Sequence, residues 1–296
     1  INAYVESHRD EMLETYRKVI LQESYHSAPE EVRTMGKMFK EMFEEVGFRC
    51  KLTNVGTDES GDMLTGILGE DRPGKPIIFG GHMDTVHKLG SFPCKFEVDD
   101  EGKVHGPGVL DMKGGIVIAL YVCKALNEIG YNSRPLKICF APDEEKLHKH
   151  GNTADQFLEF CKGGEFMLNM ETGLPGGDLC VSRKGKTEVA LYVEGVSAHA
   201  GNDFARGNAI AELCKKVTDI QALTNLDAGT TVCVDVIHGG TNFGAFPAHA
   251  EATFDVRATS VEEMQKVKKQ IEEIAAKTYI DGTTTTMEYQ MEMLPF

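Results

Sequence analysis

Basic residues are few in this sequence relative to acidic ones, with 31 lysines and arginines against 46 aspartates and glutamates. The net charge of −15 argues against nucleic acid or an anionic membrane as the main partner. Long apolar runs are missing too, since the longest, Ile116 to Cys123, is too short to span a bilayer. Residues 1–10 have no signal-peptide pattern, so we expect a cytoplasmic protein.

No C-x-x-C pair occurs among the eight cysteines, which are scattered along the chain. Several lie within apolar segments, such as Ile138-Cys139-Phe140 and Val232-Cys233-Val234. This pattern is typical of buried, reduced thiols in a cytoplasmic protein.

The first part of the chain alternates helical and strand patterns. Two amphipathic helices are predicted around residues 4–20 and 32–46. The predicted strands that follow are 48–55, 63–68, 76–82, 136–141 and 165–169, and the predicted helices are 113–128 and 153–161. This alternation indicates an α/β fold with a largely parallel sheet.

From about residue 182 the order of elements changes to β-α-β-β-α-β. Strands are predicted at 186–196, 230–238, 248–258 and 283–292, with helices at 207–219 and 261–278. This is the ferredoxin-like order, typical of a compact α+β domain. The 296 residues therefore divide into predicted domains 1–181 and 182–296.

The stretch GGHMDT places His82 and Asp84 at the end of an apolar strand. Side chains at i and i+2 on a strand point to the same face. The Asp84 carboxylate can therefore accept a hydrogen bond from the His82 ring and turn its other nitrogen toward a metal. On its own, an H-x-D pair is more often a hydrogen-bonded surface or core histidine.

Acidic side chains follow other predicted strands in the same manner. Asp111 lies in GPGVLDMKGG, Glu144 and Glu145 end APDEE, and Glu171 lies in LNMETG. In open α/β sheets, sites form at the carboxyl ends of strands. One histidine with several carboxylates suits a pair of divalent ions, most often zinc. Of two adjacent glutamates, one can bind metal while the other takes a proton from water.

Each of these motifs also has an ordinary structural explanation. The Asp-Glu-Glu run at 143–145 is compatible with a solvated acidic loop, and Glu171 with a helix or turn cap. The glycine-rich stretch around Asp111 does not have the G-x-G-x-x-G spacing of a dinucleotide loop. Their joint occurrence at successive strand ends favours the metal site.

In this order, the stretches GGHMDTV, GPGVLDMKGGI, APDEE, NMETG, GVSAHAG and GGTNFGAFPAHAEATFDVR resemble the M20 family of dinuclear metallopeptidases and amidohydrolases. The resemblance runs from about residue 77 to 257 and is closest to the glutamate carboxypeptidase branch, the carboxypeptidase G2 type. It implies a zinc-peptidase catalytic domain with an inserted ferredoxin-like lid and dimerisation domain.

The same resemblance implies a set of metal ligands. His82 and Glu171 would bind the first metal, Glu145 the second, and Asp111 would bridge the two. The ions would be zinc, with cobalt as a possible substitute.

The resemblance also implies catalytic roles for two acids. Asp84 would hold the His82 ring, and Glu144 would be the general base that takes a proton from the bridging water and passes it to the leaving amine. The Asp111–Met112 peptide bond would be cis, as in the family.

In the second domain, the resemblance assigns substrate contacts to His199, Asn242 and Arg257. The histidine would reach across a homodimer to the partner's oxyanion. The arginine would grip a substrate carboxylate through two hydrogen bonds. Alternatively, Arg257 makes a structural ion pair and His199 caps a turn.

The sequence departs from the family in two places. The family's last metal ligand is a histidine in a segment after the lid, and residues up to Phe296 contain no match to that segment. On this basis the catalytic domain is expected to be incomplete and the second metal weakly held. The stretch KLHKHGN after Glu145 is unusual, and His148 or His150 are candidates to replace the lost ligand, although such histidines are usually solvated.

The function expected from these patterns is metal-dependent hydrolysis of a peptide or amide bond, releasing a C-terminal amino acid such as glutamate. A deacylase acting on N-acyl amino acids, of the acetylornithine or succinyl-diaminopimelate type, is the enzymatic alternative, because both share the metal centre. A catalytically inert binding or assembly protein is the non-enzymatic alternative.

Overall fold

Two units divide the chain in the computed structural model, Ile1–Gly173 and Leu174–Phe296. The structure describes residues 1–173, 176–201 and 206–296. The predicted boundary between residues 181 and 182 falls a few residues after this division, before the first strand of the second unit, and it stays a prediction. Each unit is described on its own below.

Helices precede and interrupt the strands of the first unit. The helices are α1 (Asn2–Ser7), α2 (Arg9–Leu21), α3 (Pro29–Glu45), α4 (Lys113–Glu128) and α5 (Thr153–Cys161). The strands are β1 (Arg49–Asn54), β2 (Asp62–Leu68), β3 (Ile77–His82), β4 (Glu97–Val98), β5 (Val104–His105), β6 (Leu136–Ala141) and β7 (Phe166–Asn169). The predicted bounds of α4, β6 and α5 agree with these to the residue.

The main sheet of the first unit has the order β1-β2-β6-β3-β7. Strand β3 pairs in parallel with β6 and with β7, whereas β2 pairs antiparallel with β1 and β6. The α/β class is confirmed, but parallel pairing is confined to β6, β3 and β7. Strands β1 and β2 are joined by the short loop 55–61, which cannot make the crossover that parallel pairing needs. The carboxyl ends of the three parallel strands lie along one edge.

The core of the first unit lies between this sheet and the helices α2, α3 and α4. On α3, buried side chains recur at helical spacing, as Val32, Met35, Phe39 and Phe43. They meet Phe140 of β6, whose ring centroid lies 5.7 Å from that of Phe43. Helix α4 is buried on several sides. The strands that carry the candidate site residues therefore belong to a closely packed core.

The second unit has the predicted β-α-β-β-α-β order. Its elements are β8 (Gly185–Glu194), α6 (Ala209–Gln221), β9 (Thr231–Gly239), β10 (His249–Ala258), α7 (Val261–Ala276) and β11 (Thr284–Met293). The sheet order is β11-β8-β10-β9 with antiparallel pairing throughout. Asn208 and Ser260 cap α6 and α7 by accepting backbone N–H groups. The ferredoxin-like prediction is confirmed.

A buried ion pair joins α6 to the end of α7. The Nζ of Lys216 lies 3.1 Å from Oε1 of Glu212, and both side chains are buried. Lys216 also donates to the carbonyl of Ala275 at 2.8 Å. Glu212 Oε2 accepts the backbone N–H groups of Tyr279 and Ile280, at 2.9 and 2.6 Å. The pair thereby satisfies main-chain groups that the helix end leaves open.

The cysteines are free thiols, but they are less buried than the sequence predicted. Cys123 and Cys139 are buried, whereas Cys233 is exposed. Val232 of β9 packs into the core, and successive strand side chains alternate, so Cys233 faces outward. Within the described ranges, no helix combines the length and apolar character needed to cross a membrane.

Candidate metal centre

His82 ends β3 with its ring buried and both nitrogens engaged. Its Nδ1 lies 3.0 Å from the main-chain oxygen of Asp84 and 3.3 Å from the Asp84 carboxylate. Its Nε2 lies 3.0 Å from Oδ1 of Asp111 and 3.2 Å from Oε1 of Glu171. With Nδ1 beside Asp84, Nε2 is turned toward two carboxylates, an arrangement that would suit a metal-binding nitrogen.

Three candidate ligands come together at this point. One ligand atom each from His82, Asp111 and Glu171 lies within 4.8 Å of the others. An imidazole nitrogen and two carboxylate oxygens form a donor set that zinc accepts. Asp111 and Glu171 are partly open to solvent, so an ion has access to them. The residues present therefore fit a divalent ion.

The charges around His82 are unbalanced without a cation. Burial lowers the pKa of His82, but hydrogen bonds to Asp111, Asp84 and Glu171 outweigh burial and raise it to about 12. The hydrogen bond from His82 holds the pKa of Asp111 below its usual range. The site thus concentrates negative charge around one imidazole, a field that a divalent cation would neutralise.

Asp84 links His82 to the two glutamates. Its buried carboxylate accepts the backbone N–H groups of Glu144 and Glu145, both at 3.1 Å. These residues begin a short 3-10 turn, Glu144–Lys146, directly after β6. Asp84 therefore sets the position of the turn as well as that of the ring. The closest contact of the His82 Nδ1 is nevertheless the Asp84 carbonyl rather than its carboxylate.

The two glutamates differ in their distance from the three-ligand group. Oε2 of Glu144 lies 3.8 Å from the His82 Nε2, and burial raises the Glu144 pKa. Burial, followed by the charge of Asp111, raises the pKa of Glu145 to about 7. Glu145 is not part of the three-residue group. The structure places the Glu144 carboxylate near the His82 ring, and the role of Glu144 as base stays a prediction.

The loops that carry Asp111 and Glu171 are fixed by close packing. The Asp111–Met112 peptide bond is cis, which confirms that prediction. The sulfur of Met112 accepts the His82 backbone N–H at 3.0 Å. A Cβ at Gly115 would stand 1.8 Å from the carbonyl oxygen of Met170. Glycine at the start of α4 therefore allows the chain to pass closely just before Glu171.

Sequence reasoning missed a supporting segment, residues 22–26, which we name the strap. The buried Ser24 hydroxyl donates to the carbonyl of Met83 at 2.7 Å, and Ser24 O accepts the Thr85 N–H at 2.8 Å. The buried Nζ of Lys113 donates to the carbonyl of Gln22 at 2.7 Å. Burial lowers the Lys113 pKa to about 7. No local motif marks this segment, because its partners are distant in sequence.

His148 and His150 do not lie among the candidate ligands. Nδ1 of His148 is 2.8 Å from Oδ1 of Asp143, and Nδ1 of His150 is 3.1 Å from Oε2 of Glu59. Neither belongs to the three-residue group found in the described part of the chain. The structure therefore does not bring them to the position of a replacement ligand.

The predicted substrate residues lie in the second unit and are exposed. Arg257 pairs side by side with Asp255, at 2.8 and 3.0 Å, which is the structural ion pair considered as the alternative. Nδ1 of His199 accepts the N–H of Gly201 at 3.1 Å, as in the turn-capping alternative. Asn242 lies in the loop between β9 and β10. Their roles in substrate binding stay predictions.

The chain is similar to known peptidases and amide hydrolases. Residues 181–283 match the model of a peptidase dimerisation domain. The succinyl-diaminopimelate desuccinylase of Rickettsia rickettsii (strain Sheila Smith) is 27% identical over 262 residues, which cover 79% of this chain and 66% of the relative. Carboxypeptidase G2 of Pseudomonas sp. (strain RS-16) is 26% identical over 268 residues, covering 89% and 64%. The matches span just under two-thirds of these relatives' lengths.

Solved structures share the fold. A tripeptidase from Staphylococcus aureus superposes with a TM-score of 0.78 at 18% identity, covering 96% of this chain and 76% of that chain. A metallo-carboxypeptidase from Sulfolobus solfataricus gives 0.67 at 16% identity, covering 96% and 79%. At these identities the likeness establishes the architecture of both units.

Proposed function

We propose that the chain is a metal-dependent hydrolase of amide or peptide bonds of the M20 type, because residues 181–283 match a peptidase dimerisation domain and its relatives include a desuccinylase and a carboxypeptidase. The observation that carries the proposal is the convergence of His82, Asp111 and Glu171, whose ligand atoms lie within 4.8 Å of one another. They meet at the carboxyl edge of parallel strands, where α/β enzymes place their sites.

The site residues have two proposed roles, metal binding and proton transfer. His82 and Glu171 would hold one ion, Glu145 would hold a second, and Asp111 would serve as a ligand to both. Zinc is the ion we propose, with cobalt as a substitute, and when bound it would polarise the scissile carbonyl and acidify water. Glu144 would act as the base that accepts a proton from the attacking water and returns it to the leaving amine. Burial raises the Glu144 pKa, which suits a group that both accepts and returns a proton.

The substrate we propose is a small peptide from which a C-terminal amino acid such as glutamate is released. The alternative is removal of an acyl group from an N-acyl amino acid. Carboxypeptidase G2 and succinyl-diaminopimelate desuccinylase are both among the relatives, at nearly equal identity. In either reaction His199, Asn242 and Arg257 would contact the substrate. Arg257 would have to exchange its Asp255 partner for a substrate carboxylate.

We further propose a homodimer formed through the second unit and a location in the cytoplasm. The match of residues 181–283 to a peptidase dimerisation domain supports the first. The free state of the cysteines agrees with the second.

Hydrolysis assays with added Zn²⁺ or Co²⁺ test the proposal. The panel contains peptides with C-terminal glutamate and N-acyl amino acids, including N-succinyl and N-acetyl compounds. We expect turnover, and a fall of at least about 10²-fold in kcat for Glu144→Gln because the base is lost. Glu59→Gln, on an exposed neighbouring loop, is the control and should keep wild-type rates.

The outcomes separate the alternatives. Turnover of peptides with C-terminal glutamate supports the peptidase, and turnover of acylated amines alone supports the deacylase. No turnover on any compound, with zinc bound to the protein, would favour the inert binding protein instead.

A further inference from the structure

A histidine outside the metal ligands is held by a buried carboxylate at the wall of a cavity. Nδ1 of His148 lies 2.8 Å from Oδ1 of Asp143, whose side chain is 1% exposed. The other oxygen of Asp143 accepts the hydroxyls of Ser60 at 3.2 Å and Thr153 at 3.0 Å. The carboxylate is thus fixed by three side chains, and of these His148 alone can carry a positive charge.

The backbone is bent to make this contact. Leu147 and His148 have φ values of 56° and 55°, in the left-handed region that side chains other than glycine rarely adopt. The backbone N–H of His148 donates to the carbonyl of Asp143 at 3.2 Å, so the chain folds back and delivers the ring to the carboxylate. A disfavoured conformation that the surrounding structure maintains points to a functional position.

The ring faces a cavity of about 510 Å³ that also reaches the metal centre. Its polar lining includes His148, Glu144, Glu171 and the neutral amide of Asn169. Its other walls are largely apolar, built by Ile78, Phe157, Leu158, Phe166 and Met167. In the described part of the chain, the Nε2 of His148 has no hydrogen-bond partner, while Nδ1 is taken by Asp143.

We propose that His148 is a substrate-binding residue whose Nε2 donates a hydrogen bond to a carboxylate of the substrate in this cavity. The inference rests on the proposed hydrolase function and narrows its substrates to amides that carry a carboxylate on the part of the molecule beside Glu144. An anionic substrate near Glu144 and Glu171 needs a compensating donor, and among the residues that line the cavity His148 is the one that can carry a positive charge.

Electrostatics supports this geometry. The hydrogen bond to Asp143 is the largest influence on His148 and raises its pKa, which favours the doubly protonated ring. A ring protonated on both nitrogens donates to Asp143 through Nδ1 and to an anion through Nε2.

Binding measurements with the zinc-loaded protein test the inference without catalysis. The probes are glutamate and N-acetylglutamate, titrated by isothermal calorimetry. His148→Gln should bind both about 10-fold more weakly or worse, with zinc stoichiometry unchanged. Asp143→Asn, which removes the backing charge, should give a smaller loss of the same kind. His150→Gln is the matched control from the same loop and should bind as the wild type does, because His150 pairs with Glu59 instead.

Kinetics adds a second readout. For a substrate with a free carboxylate, His148→Gln should raise KM about 10-fold and leave kcat within about threefold. For the matching carboxamide the variant and the wild type should be alike. Equal binding by His148→Gln and the wild type would overturn the inference, as would loss of a zinc equivalent in that variant or a wild type that binds neither probe. Binding that depends on His148 without hydrolysis of any amide would instead contradict the proposed function alone.

Discussion

Two charged clusters, one in each unit, differ in how their charges are matched. In the second unit, Lys216 and Glu212 are opposite in charge and 3.1 Å apart, and main-chain groups occupy their remaining donors and acceptors. In the first unit, the single imidazole of His82 faces the carboxylates of Asp84, Asp111 and Glu171.

The difference separates a folding role from a binding role. A charge-matched pair that also bonds main-chain groups contributes to a unique fold, and its opposite charges already neutralise each other. An excess of carboxylates around one imidazole is unfavourable until a cation arrives. Substitutions in the Lys216–Glu212 pair should therefore change stability without changing metal binding, and substitution of His82 should chiefly change metal binding.

The largest effect is expected in the second unit. Lys216→Met leaves the Glu212 carboxylate buried and unpaired, and should lower the free energy of unfolding by about 3–5 kcal/mol. Urea unfolding measures the change. The neighbouring exposed Lys215→Met is the control, expected within about 0.5 kcal/mol of the wild type. If Lys216→Met unfolded at the same urea concentration as this control, the Lys216–Glu212 pair would not have the folding role assigned to it here.

His82→Ala should weaken zinc binding by about 100-fold or more, equivalent to about 2.7 kcal/mol, because it removes the central ligand nitrogen. Calorimetric titration with zinc gives the affinity and the stoichiometry. His105→Ala removes an exposed histidine that pairs with Asp99 and serves as the control. Unchanged zinc affinity in His82→Ala would show that the ion is held elsewhere.

Much of this architecture was predictable because it depends on local patterns. Helix α4, strand β6 and helix α5 follow hydrophobic periodicity, and their bounds were predicted to the residue. Two of the three candidate ligands stand at strand ends, His82 at the end of β3 and Glu171 shortly after β7, whereas Asp111 lies in the loop before α4. Parallel strands that end along one edge convert sequence order into proximity.

The remaining features depend on contacts between distant segments. Ser24 meets Met83 and Lys216 meets the end of α7 without any local signal. The position of β2 between β1 and β6 likewise follows from loop length and tertiary pairing rather than from strand pattern. Cys233 was predicted buried from an apolar triplet, but the alternation of an edge strand turns it outward.

A substitution in the strap should have smaller effects on stability and on zinc binding than the two substitutions above. Ser24→Ala removes the donor to the buried Met83 carbonyl and should cost about 1–3 kcal/mol of unfolding free energy. It should also lower zinc affinity by less than His82→Ala does, since the strap supports the loop that carries His82 and Asp84. Ser27→Ala, on an exposed hydroxyl of the following turn, is the control. If Ser24→Ala has the unfolding free energy and the zinc affinity of the wild type, the strap does not support the candidate metal centre.

The smallest effect concerns pH and the pair of Asp143 and His148. The pKa of Asp143 is lowered: burial opposes this, but hydrogen bonds from His148 and Thr153 prevail. Its stabilising contribution is present above the unfolded pKa of about 3.9 and is lost as pH falls through the lower folded value. The pKa of His148 is raised, chiefly by the hydrogen bond to Asp143, so its contribution is present below about 6.5 and is lost as pH rises through the folded value.

The pair should therefore stabilise the first unit most between about pH 4 and 6.5. Because His148 is partly exposed, we expect the difference in unfolding free energy between wild type and His148→Gln to stay below about 1 kcal/mol. Urea unfolding at pH 5.5 and pH 8.5 measures it, with His150→Gln as the control for the loop. A difference that grows toward pH 8.5 has the wrong sign for an ion pair and would mean that the His148 ring acts in its neutral form. In that case the Nε2 of His148 would present a hydrogen-bond acceptor instead of a donor, and the cavity lining would lack the cationic side chain that the inference assigns to it.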